Sequence, residues 1–342
     1  MPDLPPDDKE ISSMAHGDTS SLEDQIRSQP AEIERMLSSS TVREQVHLAA
    51  EGLHRARRLW VVGTGTSLHA AELGAAMLME AGRAATVVPA MSFVTQAPVI
   101  GPKDGVIVFT HTGETSYALA ARALDFTGGL DTVTITKRGT SFPRSIETVP
   151  AETSETYTVS YTTALIAIAM VAQQLGAASL EHEALAAVPG AVQAAIDEPG
   201  VDAISRPERV LVLTGAGPAA VTAREGALKI REAARVLAEG YDVDHLLHGS
   251  AVPLDRRDHL VGLAPPDERL VAGVGGAAAA EGVGHTLLRE PSSLSPLLAQ
   301  IPLTVRLQML ALRMAREGSH DPDRVILGAW ADEGLWRIGA PE

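Results

Sequence analysis

Residues 106–115, Val-Ile-Val-Phe-Thr-His-Thr-Gly-Glu-Thr, set an apolar run against a group of hydroxyls in a way that suits anion binding. The four apolar residues read as a buried parallel strand, and the abrupt change at Thr110 reads as the turn at its carboxyl end. Thr110, Thr112 and Thr115 can each donate a side-chain hydrogen bond. Gly113 lets backbone N–H groups approach an anion, and a helix starting near Thr115 adds its positive dipole end. A phosphate monoester fits such a loop. An ordinary capped strand-to-helix turn carries the same residue types, because Thr is a common N-cap.

A second hydroxyl-bearing turn, Gly63-Thr64-Gly65-Thr66-Ser67, also follows a short apolar run and opens a helical stretch. Leu68 stands where a dinucleotide fingerprint needs its third glycine, and no Gly-Lys-Ser/Thr follows, so neither a Rossmann nor a P-loop reading holds. In open α/β sheets the carboxyl ends of the strands are the usual ligand site. Two such turns, on the first and third strands, can face each other around one sugar phosphate.

Titratable groups cluster later in the chain. Glu225, Lys229 and Glu232 are spaced i, i+4, i+7 on a strongly helical segment, 223–239, and share one face. A carboxylate beside an ammonium can serve as a general base, and a second carboxylate can steer it. The same spacing also describes a solvated salt-bridge face. His248, followed by Gly249, is a candidate general acid/base. His245 and His248 lack the third ligand of a metal site, so no metal and no cofactor is expected.

The elements that must position these residues alternate between strand and helix. Helices are predicted over 21–37 and 41–57, and strands over Arg58–Val62, Ala85–Pro89, Gly105–Thr110, Thr132–Thr136 and Ile146–Val149. Helices running to Glu80, over Ser116–Leu124 and over Thr162–Leu175 lie between or after the strands, which implies a parallel sheet covered on both faces. The pattern then returns: Leu59–Gly65 aligns with Leu211–Gly217 at an offset of 152, and Asp104–Phe109 with Asp258–Leu263 at 154. This suggests two domains, 21–190 and 200–335, joined by a linker within 187–206 and followed by a tail, 319–342, folded over the site. After Leu263 the second half reads Ala-Pro-Pro-Asp-Glu, so only the first half is expected to hold phosphate.

The bulk properties narrow the class. A net charge of −15 over 342 residues argues against nucleic acid, whose phosphates need a basic face. No apolar run is long enough to cross a membrane. Cysteine is absent, which excludes disulfides and a thiol nucleophile. Residues 1–20 are polar and proline-rich without the core of a signal peptide, which reads as a disordered tail, with Met14 an alternative start. A cytoplasmic protein is expected. Trp330 and Trp336 lie in the tail as pocket wall or as anchors.

Together these segments resemble the SIS (sugar isomerase) family over roughly residues 40–330. The resemblance is to the isomerase half of the glucosamine-6-phosphate synthases and to their stand-alone aminosugar isomerase, deaminase and deglycase relatives. Gly63–Ser67 is similar to the family's Gly-Thr-Ser turn, and Thr110–Thr115 to its Ser-Gln-Ser-Gly-Glu-Thr phosphate loop, with His111 replacing Gln. Glu225-Gly-Ala-Leu-Lys-Ile-Arg-Glu232, with His248 16 residues on, resembles its catalytic helix and histidine. Ser160 resembles, in part, its substrate-contacting Ser-Thr-Lys segment.

The resemblance implies two tandem SIS domains, each a flavodoxin-like parallel sheet with helices on both faces. It implies sugar and phosphate contacts from Gly65, Thr66, Ser67, Thr110, His111, Thr112, Gly113, Thr115 and Ser160. Glu232 would be the base between C1 and C2, supported by Glu225 and Lys229. His248, from the neighbouring subunit of a homodimer with shared active sites, would act on the ring or leaving group. No amino-terminal glutaminase is expected, so glutamine is not the expected nitrogen source. Gly328 also stands where the family's ring-opening lysine is expected, and no lysine follows Lys229. The expected function is C1–C2 proton transfer on a hexose 6-phosphate with gain or loss of an amine. A deglycase of fructosamine-type 6-phosphates and a non-catalytic sugar-phosphate regulator are the alternatives.

Overall fold

The computed structural model describes residues 21–96, 98–128 and 131–336. The expectations for the first twenty residues and for Met14, and the last six residues of the tail, lie outside it. Among the described residues, no helix is long and apolar enough to cross a membrane.

Two helices open the chain, α1 (Ser21–Ser38) and α2 (Ser40–His54). Ser39 separates them and caps α2, its hydroxyl accepting from the Val42 N–H at 3.3 Å. The first sheet holds β1 (Arg58–Gly63), β2 (Ala85–Pro89), β3 (Asp104–Thr110), β4 (Asp131–Thr136) and β5 (Ser145–Glu147), all parallel in the order β2-β1-β3-β4-β5. That is the flavodoxin-like order. With them run α3 (Thr66–Glu80), α4 (Ala90–Thr95), α5 (Ser116–Gly128) and α6 (Val159–Gln174).

The period-two alternation of strand side chains sets the two faces. Leu59, Val61, Ile107 and Phe109 point into the main core against α3 and α6. Trp60, Val62, Val106 and Val108 point to the other face, against Phe93 of α4 and Ala118 and Ala121 of α5. β3 is buried along its whole length, as its unbroken apolar run requires.

Two short helices, α7 (His182–Ala186) and α8 (Val188–Asp197), lead to the second sheet. Its strands are β6 (Leu211–Gly215), β7 (Ala238–Asp242), β8 (His259–Ala264) and β9 (Gly284–Arg289), parallel in the order β7-β6-β8-β9. The remaining helices are α9 (Pro218–Ala234), α10 (Val243–His245), α11 (Leu270–Ala280), α12 (Gln300–Glu317) and α13 (Glu333–Trp336). Leu211, Leu213, Val261 and Leu263 enter the same main core as the first sheet, which therefore runs unbroken through both halves.

The halves share details beyond strand order. Arg58 pairs with Asp104, at 2.8 Å, at the start of the first sheet, and Arg209 pairs with Asp258 at the start of the second. Gly65 and Gly217 open α3 and α9 with nearly the same backbone, φ +57, ψ −131 and φ +55, ψ −122. Only glycine enters that region readily.

Three local expectations change. α6 begins at Val159, three residues before the predicted Thr162, because Glu152 reaches forward to accept from the Thr158 and Ser160 N–H groups. Residues 188–197, expected within a linker, are helix α8; Pro189 sits in its first turn, where its missing N–H is harmless. The helix expected to reach Glu239 stops at Ala234. Arg235 is left-handed at φ +54, and the chain turns into β7.

The carboxyl-terminal tail is tied to the front of the molecule. Asp323 accepts from the Ser21 and Leu22 N–H groups at 3.0 and 2.7 Å and so caps α1. Thr156 donates to the Pro322 carbonyl, and the Val325 N–H to Glu155, each at 2.7 Å. Asp323→Ala is expected to lower stability by about 1 kcal/mol, the usual cost of a lost N-cap. Urea unfolding measures it, and proteolysis near Ser21 should quicken in step.

Candidate active site

A cavity of about 270 Å³ opens where the carboxyl ends of β1 and β3 meet α6 and α9. Gly65, Thr66 and Ser67 line it from the first turn, and Thr110, His111, Thr112 and Thr115 from the second. Ser160 and Glu232 complete the set of sequence-predicted residues that face it.

Each turn has a local cause. Gly63 lies so close to the following helix that a Cβ there would sit 2.3 Å from the Ser67 carbonyl oxygen. The tight turn it permits brings Thr66 and Ser67 to the cavity at the start of α3. In the second turn, Thr112 Oγ accepts from the Glu114 N–H at 3.2 Å, and Leu119 N–H donates to the Thr115 carbonyl at 3.0 Å to start α5. Gly113, at φ +69, bends this loop without facing the cavity.

The Thr110 hydroxyl is buried with no hydrogen-bond partner among the described residues, and so are both ring nitrogens of His111. His111 packs edge-on against Tyr157, with ring centroids 5.5 Å apart. Burial, reinforced by the nearby Lys137 ammonium, pushes its pKa down to about 4, so the imidazole is neutral near pH 7.

Among the described residues, the corresponding turn of the second half is arranged differently. Glu268 stands four residues after β8 ends, as Glu114 stands four residues after β3 ends. The Glu268 carboxylate folds back and accepts from the Leu270 and Val271 N–H groups, capping α11 with the chain's own anion. Glu114 instead turns outward to Lys137, at 3.2 Å, with its side chain 76% exposed.

Opposite the hydroxyl turns, α9 carries a buried charge cluster. Lys229 is fully buried, its Nζ 2.5 Å from Glu232 Oε2 and 3.6 Å from Glu225 Oε1. Glu225, also fully buried, is held by α3: Thr66 donates to Oε1 at 3.2 Å, and His69 Nδ1 lies 2.6 Å from Oε2. Burial pushes the Glu225 carboxyl up, but Lys229, His69 and Thr66 outweigh it and hold its pKa below the ordinary value. Glu232 goes the other way. Burial raises it, Glu225 adds to the rise, and Lys229 only partly offsets them. Burial pulls the Lys229 ammonium down, yet the two flanking glutamates bring it above its usual value. A cavity-facing carboxylate with raised proton affinity, hydrogen-bonded to a fixed cation, is equipped to accept and return a proton.

His248 is not brought to this cavity by its own chain. Its side chain is 75% exposed, and Nδ1 lies 2.8 Å from the Asp244 carbonyl. Glu225 and Lys229 do not line the cavity and lie behind Glu232, which does. The sequence reading passed over His69, Glu152, Tyr157 and Lys137. His69 had a signal, one helical turn beyond Thr66; Glu152 had none, since its partners depend on the fold of its loop.

Hydroxyl turns at strand ends with a carboxylate facing them occupy the usual ligand position of an open α/β sheet. Residues 52–175 match the SIS domain model. The chain is homologous to a glutamine–fructose-6-phosphate aminotransferase (isomerizing) of Pyrococcus horikoshii, 29% identical over 308 residues. That match covers 80% of this chain and 51% of the relative, so the chain spans about half the length of such proteins. Two solved structures share the fold. Tagatose-6-phosphate ketose/aldose isomerase from Escherichia coli aligns with a TM-score of 0.74 at 20% identity, covering 92% of this chain and 97% of that one. Glucosamine-6-phosphate deaminase from Thermotoga maritima aligns at 0.73 and 17% identity, covering 90% and 97%.

Breaking the charge cluster on one side should cost far more than a surface pair would. Lys229→Met is expected to destabilise the protein by about 3–5 kcal/mol in denaturant unfolding, because it strands buried carboxylates. Adding Glu225→Gln should recover part of the loss. The pH dependence follows from the depressed Glu225 value. Its stabilising ionisation is complete above the ordinary glutamate value of 4.5 and is lost as pH falls through the folded value. Glu225→Gln should therefore flatten the decline of stability in acid.

Proposed function

We propose that the protein is an amino-sugar-phosphate isomerase of the deaminase type, moving a proton between C1 and C2 of a hexose 6-phosphate with gain or loss of an amine. One observation carries the reading: Glu232 faces the same cavity as Thr112 and Thr115. The hydroxyls of Thr66, Ser67, Thr110, Thr112 and Thr115 bind the phosphate and the sugar, and the start of α5 adds its dipole. Glu232 takes a proton from one carbon as the C–H electron pair moves into a C1=C2 bond and the C=O or C=N π pair moves onto its oxygen or nitrogen, which is protonated. The proton then returns to the other carbon as the new C=O or C=N bond forms, and water hydrolyses the resulting imine to release the amine. Lys229 holds the carboxylate in place and balances its charge.

His248 reaches the sugar from a second copy of the chain in a homodimer with shared sites. Its exposure, beside the exposed apolar Leu247 and Val252, supports a position at an interface between copies. Gly328, in the place of a ring-opening lysine, favours deglycation of a fructosamine-type 6-phosphate as the second reading. Such an adduct already carries its amine.

Wild-type protein is expected to exchange the C2 proton of glucosamine 6-phosphate, or a C1 proton of fructoselysine 6-phosphate, with solvent deuterium, as followed by NMR. Glu232→Gln should cut the rate at least a hundredfold, the usual scale of general-base loss. Binding of these sugars with no exchange by either protein would identify a sensor. Thr112→Val with Thr115→Val should raise KM more than it lowers kcat. Mixing inactive Glu232→Gln and His248→Ala chains should restore activity if sites are shared, and should restore none if each chain works alone.

A further inference from the structure

His69 belongs to no part of the reaction outlined above, yet it makes a 2.6 Å contact to a carboxylate sealed from water. It stands on α3, three residues after Thr66, so the helix that presents hydroxyls to the cavity also presents an imidazole to its back wall. Lys229 lies between two carboxylates and favours Glu232, at 2.5 Å, over Glu225, at 3.6 Å. That unequal sharing needs a cause, because both glutamates are one helical turn from the lysine. Glu225 already receives two donors from α3, Thr66 on one oxygen and His69 on the other. Its demand for the ammonium is met from the opposite helix, and the ammonium is left for Glu232.

We propose that His69 is a positioning residue for the proton transfer: by holding Glu225 from the side of α3, it leaves the Lys229 ammonium seated against Glu232. Take the imidazole away, and the buried Glu225 draws the lysine back along α9. Glu232 then loses its hydrogen-bonded cation and binds its proton more tightly. The other charged groups around the cluster cannot substitute. Glu72 of α3 is engaged by Arg224 of α9. Glu152, from the loop before α6, is spent on the Thr158 and Ser160 N–H groups. Tyr161 of α6 is buried, and its hydroxyl pKa is held well above the usual value by burial and the nearby carboxylates, so it adds no charge. Through this contact, the turn that grips the anion also tunes the base.

The inference rests on Glu232 being the base, and the test separates the two. Three proteins are compared: wild type, His69→Asn and His69→Ala. Asn places a neutral N–H donor at the position of Nδ1, whereas Ala removes the donor altogether. The acid limb of kcat/KM for the deuterium exchange is expected to move up by roughly one pH unit in His69→Ala, while His69→Asn stays near wild type. KM for the phosphorylated sugar should change less than twofold in either. The Glu232 carboxyl is titrated in parallel by ¹³C NMR of glutamate-labelled protein, its signal assigned by its loss in Glu232→Gln. An upward shift in His69→Ala supports the inference even if the wild type turns over no sugar, in which case only the enzyme reading falls. An unmoved Glu232 titration in a folded His69→Ala protein would overturn it. A shift equal in Ala and Asn would do the same, because the hydrogen bond to Glu225 would not be the cause.

Discussion

A carboxylate with no access to water stays ionised only if the protein supplies what water supplied, and Glu225 is such a group. Its partners come from two helices. Lys229 is on its own helix, and Thr66 and His69 are on α3, which belongs to the other sheet. The ion cluster therefore does more than satisfy charge. It sets the rotation and height of α9 against α3, because displacing either helix by one residue would unseat at least one partner. Glu232, one helical turn beyond Lys229, inherits that register and is delivered to the cavity that Thr66 and Ser67 line from the other side. The hydroxyl turns of one half and the cavity-facing carboxylate of the other are held together by a joint that neither half could form alone.

The two sheets share a frame and differ in what they do with it. The paired Arg–Asp contacts at the strand starts and the glycines that open α3 and α9 recur in both. The decisive difference is the use of one carboxylate. Glu268 neutralises the start of α11 from within, so that helix end has no use for an external anion. Glu114 is drawn aside by Lys137, and the turn before α5 keeps its hydroxyls facing the cavity. One glutamate side chain caps its own helix start and the other leaves its turn open to the cavity. The two loops also differ in composition, with prolines in one and threonines in the other.

What could be read in the chain was whatever repeats with a fixed period. β2 was placed to the residue, and β1, β3 and β4 to within one: β1 and β3 carry unbroken apolar runs, and β2 and β4 are short β-branched segments rich in Val and Thr. The hydroxyl turns were legible because their glycines and threonines are local in sequence and follow those strands directly. The misses share one physical origin, an interaction supplied from far away in sequence. Glu152 starts α6 early, Asp323 caps a helix about three hundred residues upstream, and β7 exists because β6 offers it an edge. The ion-pair face on α9 reads, by spacing alone, more readily as a solvated surface. The structure buries Glu225 and Lys229 instead, and no spacing rule reports burial.

The lining of the cavity limits what it can hold favourably. A buried hydroxyl at Thr110 and a buried neutral imidazole at His111, both unpaired among the described residues, are costly beside an apolar ligand, roughly 1–3 kcal/mol for each unsatisfied group. Phe109, Ile135, Ala118, Ala164 and Leu228 supply the rest of the wall. Such a lining rejects a purely apolar ligand, which would leave those groups unpaired. It also disfavours a bare inorganic anion, which leaves the apolar wall unused. A molecule with an anionic head, several hydroxyls and a carbon skeleton satisfies every part at once. A neutral His111 then has a definite advantage over a charged one, because it can donate to one ligand oxygen and accept from a ligand hydroxyl. A protonated ring could only donate. Burial and Lys137 keep the ring in the form that a polyol phosphate can use on both sides.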